Sequence, residues 1–217
     1  MSIVINKYID HTLLKPDATR DEIKKLCDEA KKYNFASVCI NPCNISFCKK
    51  ELFNSNINIC TVVGFPLGQM TVDAKIAETK DAITKGANEI DMVLNIAALK
   101  QNNLEYVTNE IKLIADICHK NKVILKVIIE TCLLNQEQKI NACKCVSIAK
   151  ADFIKTSTGF STSGATIEDV ALLRKYSSPN VKVKASGGIR SLKDAIEMIN
   201  AGAERLGTSK GVMLIRG

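Results

Sequence analysis

Short apolar runs alternate along this chain with longer stretches whose apolar residues recur every three to four positions. The runs fall at residues 8–14, 37–40, 58–63, 89–95, 124–130, 153–157, 181–186 and 205–208. Each has the length and alternation of a strand. Between them, Ile23, Leu26, Cys27 and Ala30 mark one helical face, Leu104, Val107, Ile111, Ile114, Ala115 and Cys118 a second, and Val170, Leu173 and Tyr176 a third. Residues 45–53 also read as helical. Thr19-Arg20-Asp21-Glu22 has the form of a capping box, Asn135 caps the helix after it, and Thr166 and Ser191 open two more. Gly86 closes a helix over 72–85. The pattern predicts eight strands and at least seven helices in strict alternation. Residues 85–91 and 201–207 repeat one theme, a helix end, then Gly-Ala, then a strand. Eight such units point to a TIM (β/α)8 barrel, one domain over residues 1–217. A doubly wound sheet is the rival, but no G-x-G-x-x-G follows the first strand. With the chain stopping at Gly217, the eighth helix is expected to be short or absent.

Charged residues break into four of these runs. Alternate side chains of a strand share a face, so Lys155 points with Phe153 and Ser157, away from Ile154 and Thr156. Lys184 faces away from Val183 and Ala185, and Asp91 from Ile90, Met92 and Leu94; Lys126 also sits among aliphatic neighbours. Lysine is almost never fully buried unless paired. In an open sheet these groups would be solvated. In a closed barrel three ammonium groups and a carboxylate converge, which costs stability and suits chemistry. Strands six and seven should be neighbours, setting Lys184 beside Lys155. A lysine amine attacks a carbonyl only when neutral, and burial or a second cation favours that form. One of the two is therefore expected to form a Schiff base. Lys126 would add positive potential or pair with Asp91, whose carboxylate could move protons.

The loops after strands seven and eight, residues 186–189 and 207–211, are glycine-rich. Backbone N–H groups there can approach an oxyanion, at the place where barrels of this kind hold phosphate. Gly159 could add a third contact. Together these needs match a metal-free class I aldolase acting on a phosphorylated aldehyde.

Composition narrows the alternatives. The 217 residues are 46% hydrophobic and 24% charged, as expected of a soluble globular chain. The net charge is +7, but Lys and Arg are dispersed, aromatics are 5% and Trp is absent. That argues against nucleic acid and for attraction of anionic metabolites. No apolar run could span a bilayer. Nine cysteines, an odd number with no secretion signal at the start, suggest a reduced cytoplasmic protein. Neither Cys39/Cys43/Cys48 nor Cys143/Cys145 has zinc spacing, and only His11 and His119 could help them. No metal or cofactor is expected, and most cysteines read as small core residues.

Six motifs, spread nearly end to end, resemble those of the deoxyribose-phosphate aldolase family. They are Asp10-His11-Thr12-Leu13-Leu14-Lys15-Pro16, Gly64-Phe65-Pro66-Leu67-Gly68, Glu89-Ile90-Asp91-Met92-Val93, Lys126-Val127-Ile128-Ile129-Glu130-Thr131, Phe153-Ile154-Lys155-Thr156-Ser157-Thr158-Gly159-Phe160 and Val183-Lys184-Ala185-Ser186-Gly187-Gly188-Ile189-Arg190. The resemblance implies reversible cleavage of 2-deoxy-D-ribose 5-phosphate to acetaldehyde and D-glyceraldehyde 3-phosphate. It implies that Lys155 forms the imine, that Lys184 favours its neutral form and joins proton transfer, and that Asp91 is the proton donor and acceptor. Asp10 and Lys126 would line the site, with Thr12 and Thr156 close to substrate. Gly159, Gly187, Gly188, Gly207 and Ser209 would hold the phosphate. The family also suggests a homodimer. Ser163 and Ala97 stand where the family favours Gly, and the terminal tyrosine tail of longer members is missing. Other Schiff-base sugar-phosphate aldolases, transaldolases and a non-catalytic phosphate- or nucleic-acid-binding barrel are the alternatives.

Overall fold

The computed structural model describes residues 4–216. The first three residues, part of the start read as lacking a secretion signal, and Gly217 lie outside the described residues. The strands are β1 (Ile9–Leu13), β2 (Ser37–Ile40), β3 (Asn58–Val63), β4 (Glu89–Val93), β5 (Ile124–Ile128), β6 (Phe153–Lys155), β7 (Lys182–Ser186) and β8 (Arg205–Thr208). All neighbours pair in parallel in chain order, and β8 pairs with β1 to close the barrel. The helices are α1 (Arg20–Tyr33), α2 (Ile45–Glu51), α3 (Val72–Lys85), α4 (Ile96–Lys100), α5 (Leu104–Lys120), α6 (Gln136–Ile148), α7 (Ile167–Tyr176), α8 (Leu192–Asn200) and α9 (Gly211–Arg216).

Closure gives each strand two buried faces. Ile90, Met92, Val127, Ile154, Val183 and Ala185 are buried outward in the core shared with the helices; the apolar stripe of α5 packs on β5, and that of α1 on β1 and β2. The charged side chains are left for the interior. Local chemistry sets the helix ends. Thr19 and Glu22 complete the capping box of α1, and Asn135 with Gln138 does the same for α6. Thr166 and Ser191 cap α7 and α8. Gly86, at φ +113°, ends α3 in a conformation that a β-carbon would disfavour.

β1, β4, β5 and β6 end one or two residues short of their apolar runs, and two departures have a local cause. A short helix, α4, follows β4, its first turn capped by the Asn95 side chain on the Ala98 N–H. Strand β5 stops at Ile128 rather than at residue 130, since Glu130 adopts φ +53° and diverts the chain into a 3-10 turn, Thr131–Leu133. The last helix described, α9, is six residues long. Among the described residues, no helix is long and apolar enough to cross a membrane.

Candidate active site

The barrel register sets the site. Asp91 on β4 lies opposite Lys126 on β5, and Lys155 on β6 lies opposite Lys184 on β7. With period-2 alternation all four point inward, and all four are buried, Lys155 being 3% exposed. Asp91 is the hub. Its Oδ2 accepts from Lys155 Nζ and from Lys184 Nζ, both at 2.7 Å. Its Oδ1 accepts from Lys126 Nζ at 3.0 Å and from the Cys60 thiol at 3.1 Å. Burial alone would raise the Asp91 carboxyl, but the three surrounding lysines hold it well below the usual carboxylate range. Burial alone would lower Lys184, yet Asp10 at 2.5 Å and Asp91 keep it above the ordinary lysine value. Lys126 is raised likewise, against its burial, by Asp91 and Glu89.

A second layer sits beneath. Arg205 reaches Asp10 at 2.5 Å and Glu89 at 3.2 Å, and the Ser37 hydroxyl donates to Asp10 at 2.6 Å. Burial would raise Asp10, but Lys184 and Arg205 hold it far below its normal value. The interior therefore holds Asp10, Glu89 and Asp91 against Lys126, Lys155, Lys184 and Arg205. The sequence pattern singled out one carboxylate and missed Glu89 and Arg205. Period 2 was signal enough for both: Glu89 shares the face of Asp91, and Arg205 that of Gly207.

Above the cluster opens a cavity of about 330 Å³. Lys155 is at its floor, and Thr12, Gly159, Gly187, Gly188, Gly207 and Ser209 are in its wall. Gly159 and Gly188 have φ near +80°, and a β-carbon on either would meet nothing within 4 Å, so both border open space. The rim carries Lys15, Arg190 and Lys210. These three cations did not stand out in the sequence, because no strand face groups them.

Not every expected residue reaches the cavity. Thr156 is fully buried, and its hydroxyl bridges β6 to β7 by donating to Ser186 O and accepting from Ser186 N–H. Asp10 and Lys126 lie below the cavity, within the charge network. Among the described residues, two donor sets fall within 4.8 Å, Cys39–Cys60–Asp91 and Asp10–Cys60–Glu89. Their carboxylates are already matched to Lys126, Lys184 and Arg205, so a metal ion there would face cations at short range.

The DeoC/LacD family aldolase profile matches residues 4–216. A deoxyribose-phosphate aldolase of Streptococcus sanguinis is 54% identical over 213 residues, covering 98% of this chain and 96% of that protein. One from Caldicellulosiruptor saccharolyticus is 57% identical over 213 residues, with 97% and 96% covered. The solved structure of a deoxyribose phosphate aldolase from Aeropyrum pernix, described as tetrameric, superposes with a TM-score of 0.90 at 33% identity, covering 98% of this chain and 89% of that one.

Proposed function

The chain belongs to the DeoC/LacD family of aldolases, and from that premise we propose that it cleaves 2-deoxy-D-ribose 5-phosphate reversibly to acetaldehyde and D-glyceraldehyde 3-phosphate through an imine on Lys155. The observation that carries the assignment of roles is the sharing of one Asp91 oxygen by the Lys155 and Lys184 nitrogens. The neutral Lys155 amine adds to C1 of the open-chain sugar, and loss of water leaves an iminium. Removal of the C3 hydroxyl proton breaks the C2–C3 bond. The bonding pair passes to the iminium, giving an enamine and releasing glyceraldehyde 3-phosphate. Protonation at C2 and addition of water return acetaldehyde and free Lys155.

Lys184 suits the proton-donating steps, because Asp10 and Asp91 hold it as an ammonium next to the reacting nitrogen. Asp91 stabilises the cation on Lys155 and accepts and returns protons within the network. Gly159, Gly187, Gly188, Gly207 and Ser209 hold the phosphate, and Thr12 borders the sugar. This reading includes self-association, supported by the tetrameric Aeropyrum pernix relative. A reducing compartment, the cytoplasm, fits nine cysteines that are all free thiols.

Reductive trapping tests the assignment. Acetaldehyde with cyanoborohydride, in the presence of a chelator, should leave one ethyl adduct, on Lys155, read by peptide mass spectrometry. Lys155→Ala should lose both adduct and turnover. Lys184→Leu should cut turnover at least a hundredfold, the usual reach of a positioned acid or base. An adduct on Lys184 would reverse the two roles. Scattered labelling of folded protein would remove the imine mechanism.

A further inference from the structure

Among the described residues, one buried carboxylate has no cation within ion-pair distance, whereas Glu110 is matched to Lys75 and Asp169 to Lys139. Glu130 is 2% exposed, at the C-terminal mouth of the barrel just past β5. It stands in the left-handed region at φ +53°, which costs a non-glycine residue about 1 kcal/mol or more. Its partners are neutral donors. The Thr158 N–H reaches Oε1 at 3.2 Å and Oε2 at 3.3 Å, and the Thr158 hydroxyl donates to Oε2. The Cys132 thiol lies further off, at 4.0 Å. Burying an anion among neutral groups is expensive, and so is holding its backbone in this conformation. Both costs fall on one residue beside the cavity.

The Thr158 hydroxyl shows what they secure. Because its proton goes to Glu130, its lone pairs face the other way, and one accepts the Phe160 N–H at 3.0 Å. Glu130, Thr158 and Phe160 thus form one directed chain that pins both sides of Gly159. Gly159 turns at φ +85° with open cavity beside it. The same chain sets Phe160, whose ring meets Phe65 edge-on at 5.4 Å.

We propose that Glu130 is a positioning residue: through Thr158 it fixes the Gly159 turn in the conformation that receives the phosphate, and so determines preference for phosphorylated over unphosphorylated sugars. The inference rests on the aldolase reading above. Glutamine at 130 keeps the shape but has one acceptor oxygen for two donors, and its NH2 then opposes a donor. A lost charge-assisted hydrogen bond of this kind corresponds to about a tenfold effect.

The experiment compares 2-deoxyribose 5-phosphate with 2-deoxyribose in wild type, Glu130→Gln, Thr158→Val, Thr158→Ser and the Glu130→Gln/Thr158→Val double variant. KM for the phosphorylated sugar should rise about tenfold in Glu130→Gln and in Thr158→Val, with kcat within about threefold and kcat/KM for 2-deoxyribose held. The double variant should be no worse than the poorer single one, and Thr158→Ser should keep the wild-type KM. Equal losses on both sugars, additive losses, or a Thr158→Ser variant as impaired as Thr158→Val would overturn the inference. If Glu130→Gln does not fold, the Thr158 pair decides alone. Wild-type protein that neither cleaves 2-deoxyribose 5-phosphate nor traps acetaldehyde would refute the aldolase reading instead.

Discussion

Asp91 and Asp10 show how one set of contacts serves both chemistry and stability. Each is held below its unfolded carboxyl value by lysine and arginine neighbours that outweigh its burial. A carboxylate with a lowered folded pKa contributes stability that is complete above the unfolded value, about 3.9, and lost as pH falls through the folded one. Lys184 is the opposite case. Its raised folded value contributes stability below about pH 10.4 that is lost as pH rises. The network therefore supports the fold across the neutral range and weakens in acid below about pH 4. Urea midpoints measured between pH 5 and 2 should fall steeply. In Asp10→Asn that slope should be shallower by up to one proton, about 1.4 kcal/mol per pH unit. The variant should also be less stable at neutral pH by about 3–5 kcal/mol, since Lys184 and Arg205 lose a buried partner. An unchanged acid slope would show that Asp10 does not titrate with folding.

At the scale of elements, the loop between β6 and α7 is where packing tolerates least. A β-carbon on Gly164 would lie 2.3 Å from the Gly187 carbonyl carbon and oxygen, a backbone contact that no side-chain rotation relieves. The Ala165 N–H donates to Ser186 O and Gly187 O, both at 3.1 Å, so the two glycine loops are bound edge to edge. Gly164→Ala should therefore push the β7 loop out of place. The expected result is at least a tenfold rise in KM for the phosphorylated sugar, with a far-ultraviolet dichroism spectrum like that of wild type. An unaltered KM would show that the two loops move independently. By contrast Ser163, one residue earlier, is exposed.

Over the whole molecule, the +7 charge has a local focus in function. Lys15, Arg190 and Lys210 ring the cavity mouth, and among the described residues no carboxylate lines the cavity with them. Their field should draw a phosphate dianion and be indifferent to a neutral sugar. Exposed charges are screened over about 10 Å at 0.1 M salt and about 3 Å at 1 M. KM for 2-deoxyribose 5-phosphate should thus rise severalfold from low salt to about 0.5 M, while turnover of 2-deoxyribose stays level. Steady-state kinetics at several ionic strengths decides it; parallel curves for the two sugars would reject steering by the rim.

The fold was legible because a barrel is periodic. The hydrophobic alternation gave strand limits at Asn58–Val63 and Arg205–Thr208 that the structure reproduces, and capping chemistry at Thr19, Asn135 and Gly86 is local to the chain. Period 2 also turned Asp91, Lys126, Lys155 and Lys184 to one side. Which of these groups touch is a matter of closure and register, properties of strands far apart in sequence: Lys184 meets Asp10 and Asp91, 174 and 93 residues away. The same holds for Arg205 beneath the site and for the cations at its rim. Strand parity turned Thr156 away from Lys155, and only the resemblance set it near substrate; its hydroxyl is bound to the neighbouring Ser186 backbone. Glu130 looked like the end of a strand, and only its left-handed turn and its grip on Thr158 set it apart. Sequence determined the elements and the inward face, since both follow from local periodicity. Tertiary structure decided the partners, because buried charges are matched across the barrel rather than along the chain.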